Sequence, residues 1–329
     1  MKVIYPAKLQ LWDEIRVIAP ARSLALLWDE TVNKAMERLK SLWFKVTFWK
    51  NVTEKDEFLS SSVHSRIEDL HDAFKDTSVK AILSVIGWYN SNQMLDYIDY
   101  DVIKNNPKIL CWFSDITALS NAIFTKTWLV WYSWPHFSSW GIKYGFDYSI
   151  EYFKKCCLKD TPFDVIASQE WSDDEWYLDQ EKRIFEKNEW YIILNEWDAT
   201  WRIIWWHLPC ICALLWTPYF PHIDEDILLF IEQDEEFSTQ IFDRQLQQII
   251  QTPYFHFIKW IVIWKFQRKN NISIETLKKI IYSKQELNNI PIIGNVNIGH
   301  VMPFITFPIG WIWKISTKNH MEKISITHH

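Results

Sequence analysis

The chain has 329 residues, 48% of them hydrophobic and 23% charged, with a net charge of −6. It is long enough for one large or two ordinary domains with cores of their own. The acidic balance argues against a nucleic-acid or anionic-membrane partner, and with no leader-like opening or spanning-length apolar run a cytoplasmic location is expected.

The first half alternates regularly. Asp13–Pro20 reads as a strand, Glu30–Leu42 as a helix, Phe44–Phe48 as a strand and Ser62–Phe74 as an amphipathic helix. Val79–Ile86 is a nearly continuous apolar run, suited to a buried parallel strand. A loop at Gly87-Trp88-Tyr89-Asn90 follows, and then a short apolar strand ends at Cys111. Ser114 comes next, with apolar residues at helical spacing from Asp115 to Thr127. Leu129–Ser133 reads as a strand and Tyr148–Leu158 as a helix. Strands alternating with helices predict a doubly wound parallel sheet of the flavodoxin or glutamine-amidotransferase kind. Sites in such sheets form at the carboxyl ends of strands, where the 87–90 loop and Ser114 both fall.

Near residue 160 the texture changes. The acidic, aromatic stretch Gln169–Tyr177 marks a linker or substrate loop, placed at 161–185 between an N-terminal α/β domain (1–160) and a C-terminal mixed α+β domain (186–329). The second half offers short strands at Tyr191–Leu194, Arg202–Ile204 and Ile227–Ile231, then a helix over Thr239–Ile250. Strand Phe257–Trp264, helix Ile274–Leu287 and strand Ile290–Ile293 follow, and Phe307–Ser316 and Lys323–Thr327 are strand-like.

Tryptophan and glycine usage is abnormal. There are 22 Trp and 6 Gly, where an average composition of about 7% glycine would give roughly 23. Several Trp stand where a backbone asks for glycine. Trp43 follows a helix and precedes a strand, the position that favours a left-handed residue. Trp134 precedes Pro135 in a turn, Trp205-Trp206 interrupt a strand-like run, and Trp260 and Trp264 bracket another. A source that reads UGA as glycine, translated with a table that reads it as tryptophan, would produce this pattern. UGG codons at Trp43, Trp112 and Trp134 would refute that origin.

Chemistry is suggested by three separated residues. Ser114 lies at a strand-to-helix turn, where a hydroxyl can stand beside free backbone N–H groups; the same residues also suit a plain helix cap. Glu232 leaves an apolar strand, and His300 follows Gly299 after another. Singly, each reads as a solvated loop residue. Together they give a nucleophile, an orienting carboxylate and a general base. No dinucleotide, P-loop or zinc-protease motif is present, the ten histidines are dispersed, and the five cysteines are odd in number without metal spacing. No metal and no organic cofactor is expected.

The segments "DEIRVIAPARS" (13–23), "IGWYNSNQ" (86–93), "SDITALSNAI" (114–123), "YSWPHFSS" (132–139), "LLFIEQDEE" (228–236) and "GNVNIGHVMPFITFPIG" (294–310), in this order, resemble the LD-carboxypeptidase family of serine peptidases, nearest its microcin C self-immunity branch. The resemblance implies Ser114 as nucleophile, His300 as base and Glu232 as its orienting acid. It implies an oxyanion hole from backbone N–H groups of Asp115 and of the Gly87-Trp88 turn. Substrate contacts would come from Tyr89, Asn90 and Trp176, whose ring can stack on a base, and from His207, which stands where relatives carry Asn. The implied substrate is a small peptide or peptidyl-nucleotide, with a murein tetrapeptide as the alternative, and the implied assembly is a homodimer. The resemblance also places glycine at Trp12, Trp43, Trp49, Trp88, Trp112, Trp128, Trp134, Trp197, Trp201, Trp205, Trp206, Trp260 and Trp264. Three rival readings stay open. An α/β-hydrolase esterase needs G-x-S-x-G, and position 116 is Ile; a glutamine amidotransferase needs a cysteine in the turn, and Cys111 lies three residues early. A non-catalytic small-ligand binder is the third.

Overall fold

A computed structural model describes residues 2–189, 191–195, 199–296, 299–316 and 323–327. In chain order the first half gives β1 (Glu14–Ile18), α1 (Asp29–Ser41), β2 (Lys45–Phe48), α2 (Val63–Lys75) and β3 (Val79–Ser84). It continues with α3 (Tyr100–Asn105), β4 (Ile109–Trp112), α4 (Thr117–Thr127), β5 (Trp131–Ser133) and α5 (Asp147–Cys157). The middle holds β6 (Phe163–Val165), β7 (Glu170–Trp171), β8 (Glu186–Lys187), β9 (Ile192–Asn195), β10 (Ala199–His207) and α6 (Leu208–Leu214). The rest is β11 (Ile227–Glu232), α7 (Thr239–Ile250), β12 (Ile258–Trp264), α8 (Ile274–Tyr282), β13 (Ile292–Val296), β14 (Phe307–Ile309), β15 (Ile312–Ser316) and β16 (Lys323–Ile326).

One sheet runs β14-β5-β4-β3-β1-β2. Its strands from β5 to β2 pair in parallel, as the alternation of strands and helices predicts. Every residue of β1 and β4 is buried, because helices cover both faces. The second sheet, β6-β16-β15-β10-β11-β12-β13-β9, has a parallel centre from β10 to β13 and antiparallel flanks. The chain is therefore α/β with a second, mixed sheet. The carboxyl ends of β4, β10 and β11 deliver the residues of interest.

Three elements differ from expectation. Phe307–Ser316 is two strands in two sheets, because Gly310, at φ 83°, turns the chain between them. β14 pairs antiparallel with β5, whereas β15 joins β10. β10 runs unbroken through Trp205 and Trp206 to His207, since both residues stay in the parallel ladder with β11. The stretch from 161 to 185 contains β6, a strand of the second sheet, and β7. Cys111, Cys156 and Cys157 are buried, Cys210 and Cys212 partly so, and all five are free thiols. Among the described residues no helix is long and apolar enough to cross a membrane.

The backbone isolates the tryptophan anomaly. Ten non-glycine residues have positive φ among those described, and six are Trp: Trp12, Trp43, Trp88, Trp128, Trp134 and Trp216. A β-carbon there collides with the neighbouring carbonyl, costing roughly 1–2 kcal/mol per residue; glycine is free of that cost. Trp43 and Trp128 are the residues that end α1 and α4, where a left-handed glycine is usual. Trp88, at φ 139°, lies in a region reached almost only by glycine. Inside the protein the rings are crowded. The Phe113 and Trp134 ring centroids lie 3.0 Å apart, inside the roughly 3.5 Å at which carbon atoms rest. Among the described residues, the buried indole nitrogens of Trp49, Trp134, Trp140, Trp260 and Trp313 have no hydrogen-bond acceptor. Trp197 lies outside the described residues.

Candidate active site

β4 delivers Phe113 in an extended conformation (φ −158°, ψ −167°), and Ser114 then turns to φ 60° before α4 begins. A serine at positive φ is strained. The surroundings hold it there. The Asp115 carboxylate, buried, accepts the Ser91 N–H at 2.9 Å, and the Asp115 carbonyl accepts the Ser91 hydroxyl at 2.8 Å. Burial raises the Asp115 pKa above the ordinary range against those bonds. Below the turn, His136 Nε2 lies 3.2 Å from Phe113 N and 3.0 Å from Phe113 O, with its ring stacked on the phenyl. Full burial keeps His136 well below the usual histidine pKa, so it is neutral.

The turn after β3 closes over the serine. A β-carbon on Gly87 would stand 3.0 Å from Ser114 Cβ and 3.2 Å from its Oγ. A β-carbon there would press on the serine, and glycine leaves the backbone N–H groups room to approach. The exposed Trp88 ring sits under the Arg22 guanidinium at 3.6 Å. Asn90 is buried, its carbonyl accepting from Arg66 at 2.9 Å, whereas Tyr89 is exposed.

From the second sheet, Glu232 at the end of β11 is 2% exposed. Its Oε2 is 2.7 Å from His300 Nδ1, and the imidazole stands edge-on to Phe113 with ring centroids 5.2 Å apart. Burial disfavours the imidazolium, but the charge and hydrogen bond of Glu232, with Asp234 and Glu235 behind, outweigh it and raise the His300 pKa above its ordinary 6.5. The bend before His300 depends on Gly299, at φ 145°, where a β-carbon would meet Trp264 Cε3 at 2.3 Å and Glu232 Oε2 at 3.2 Å. Gly299→Ala is expected to lower stability by about 2 kcal/mol through strain and overpacking, read as a lower urea midpoint.

Parallel pairing of β10 with β11 sets His207 beside Glu232. His207 Nε2 is 3.1 Å from Asp234 Oδ2, and its Nδ1 is 3.1 Å from the Cys210 thiol. Cys210 Sγ in turn lies 3.7 Å from the carbonyls of Ser114 and Asp115, tying the two sheets together. Burial resists the charge on Asp234, yet the His207 hydrogen bond leads the effects that bring its pKa down to about 2. Trp176 is half-buried in a segment clipped to the His300 loop by the reciprocal Ser172–Met302 backbone pair, at 2.8 and 2.7 Å.

The structure therefore gathers Ser114, Asp115, Gly87, Glu232, His300 and His207 at one mouth. Tyr89 is exposed on the 87–90 loop and Trp176 lies in the segment clipped to the His300 loop, and among the described residues neither hydrogen-bonds Ser114, Glu232 or His300. Sequence reasoning missed His136, Cys210 and Asp234. Only Asp234 left a signal, since it lies two residues past Glu232.

The LD-carboxypeptidase N-terminal domain matches residues 15–133 and its C-terminal domain residues 207–315. The chain belongs to the LD-carboxypeptidase family. It is 46% identical over 326 residues to YocD of Bacillus subtilis (strain 168), described as a carboxypeptidase, covering 99% of this chain and 100% of that one. An MccF-like protein from Bacillus anthracis shares the fold at TM-score 0.97 and 46% identity, with 99% and 100% of the chains covered. The microcin C7 self-immunity protein MccF, solved in complex with aspartyl sulfamoyl adenosine, superposes at TM-score 0.88 and 24% identity over 99% of each chain. The protein is a serine peptidase of carboxypeptidase type, and with that the esterase and amidotransferase readings fall away.

Proposed function

We propose that this LD-carboxypeptidase hydrolyses the amide linking a C-terminal aminoacyl group to a nucleotide-like moiety, using Ser114, His300 and Glu232 as its triad. The observation that carries the reading is the 2.7 Å Glu232–His300 bond beside a serine held at positive φ. Ser114 Oγ attacks the scissile carbonyl while His300 Nε2 takes its proton, and Glu232 fixes the tautomer and stabilises the imidazolium. The developing oxyanion is met by the N–H groups of Asp115 and of the Gly87-Trp88 turn. The imidazolium then protonates the leaving nitrogen. Water, activated by the same imidazole, releases the acyl group and restores the serine.

The substrate side rests on Trp176, whose half-buried ring offers a face for a base, and on the aminoacyl nucleoside analogue bound by MccF. Asn90 and His207 would hold the polar end. We take the enzyme to act in the cytoplasm as a homodimer, by family likeness. Incubating the protein side by side with an aspartyl-adenylate analogue and a murein tetrapeptide tests this. Release of the nucleotide moiety supports the reading, and release of D-Ala alone replaces it with murein recycling. A folded protein that releases neither and ignores a fluorophosphonate probe is a binder.

The raised His300 pKa has two opposite consequences. The base works only when neutral, so kcat/KM is expected to fall as pH drops through a midpoint above 6.5. The favoured imidazolium adds stability that is complete below the unfolded-state pKa and lost as pH rises through the folded one. Glu232→Gln removes the main raising influence, so the acid limb should move to lower pH as activity falls. A limb that stays in place would remove Glu232 from its role.

A further inference from the structure

His207, Asp234 and His300 each offer one ligand atom, and these atoms all lie within 4.8 Å of one another. We propose that the three form an inhibitory site for a divalent transition-metal cation of the zinc class. Ligands on a tetrahedral zinc stand about 3.4 Å apart, and His207 Nε2 and Asp234 Oδ2 are already separated by 3.1 Å. The His300 ligand atom stands within 4.8 Å of both.

Both imidazoles are held as metal-binding histidines usually are, by a partner on the other ring nitrogen. Glu232 takes His300 Nδ1 at 2.7 Å, and Cys210 lies 3.1 Å from His207 Nδ1. Nε2 of His300 is thus left for a proton or a cation. Glu232 beneath the site and Glu236 beside Asp234 add negative charge, with Glu235 paired to Lys269 at 3.3 Å and Arg22, from the segment after β1, facing Glu236. Three protein ligands leave a fourth position for water.

A cation here occupies the lone pair that deprotonates Ser114, so it stops acyl transfer. That consequence rests on the general-base reading of His300; the binding does not. The site follows from His207, since Asn at that position supplies no imidazole.

Zinc chloride titrated into the chelator-treated full-length protein is expected to bind one ion per chain by calorimetry. His207→Asn and Asp234→Asn should each weaken binding at least about tenfold, whereas Cys210→Ser should leave its strength within a few-fold. Cobalt(II) in place of zinc should give visible d–d bands without a thiolate charge-transfer band. No saturable binding, a thiolate band, or affinity unmoved in both variants would overturn the site. If binding depends on His207 and Asp234 while hydrolysis continues at saturating zinc, the cation site stands and the base role of His300 falls.

Discussion

Ser114→Gly is expected to abolish hydrolysis and at the same time make the protein harder to unfold. The catalytic loss should reach on the order of 10⁴–10⁶ in kcat, the scale seen when a triad nucleophile is removed. The stability gain comes from the backbone. Ser114 sits at φ 60°, where a side chain costs roughly 1–2 kcal/mol and glycine does not. Ser114→Ala keeps the β-carbon and should lose the same activity without the gain. A matched pair of urea curves, with fluorophosphonate labelling of the parent protein alone, checks both halves. If glycine and alanine are equally stable, the turn is not strained; if either remains active, Ser114 is not the nucleophile.

The second large effect concerns Trp12, Trp43 and Trp216, which are 69, 54 and 89% exposed and all at positive φ. Little buried surface is lost when they are truncated. Trp12 and Trp43 form one edge-on pair with centroids 5.2 Å apart, worth about 0.5–1.5 kcal/mol. Relief at three left-handed positions, about 1–2 kcal/mol each, exceeds it. The triple glycine variant should therefore be more stable by roughly 2–4 kcal/mol, from the same terms. The triple alanine variant should not gain, since the β-carbon is the source of strain. A glycine variant no more stable than the alanine one would refute the strain. Together with the UGA or UGG identity of the codons, this measurement decides whether these positions are glycine in the living cell.

Much of the first sheet was legible because each parallel strand is a short apolar run followed by an amphipathic helix, and each period survives in one dimension. Ser114 was legible for the same reason, as the residue between two periods. Glu232 and His300 were found as strand-exit residues, but their 2.7 Å contact joins positions far apart in sequence, and family likeness supplied the pairing. The division of Phe307–Ser316 between two sheets escaped notice because its residues are uniformly strand-like; the turn rests on the φ of Gly310 alone. The His207–Asp234 pair was hidden by register. Only the alignment of β10 with β11 brings His207 level with Glu232, and no local pattern encodes that.

The placement of β14 also sets a timetable. Synthesis runs from the amino end, so β1 to β5 leave the ribosome long before Phe307–Ile309, the strand that covers the edge of β5. Until then Trp131, Tyr132 and Ser133 present open backbone to any passing strand, the circumstance in which nascent chains aggregate or recruit chaperones. His300, the proposed general base, arrives in nearly the same instalment, since it lies just ahead of β14. On the proposed triad, a half-made chain carries its serine without the imidazole, and sealing the sheet coincides with completing the site.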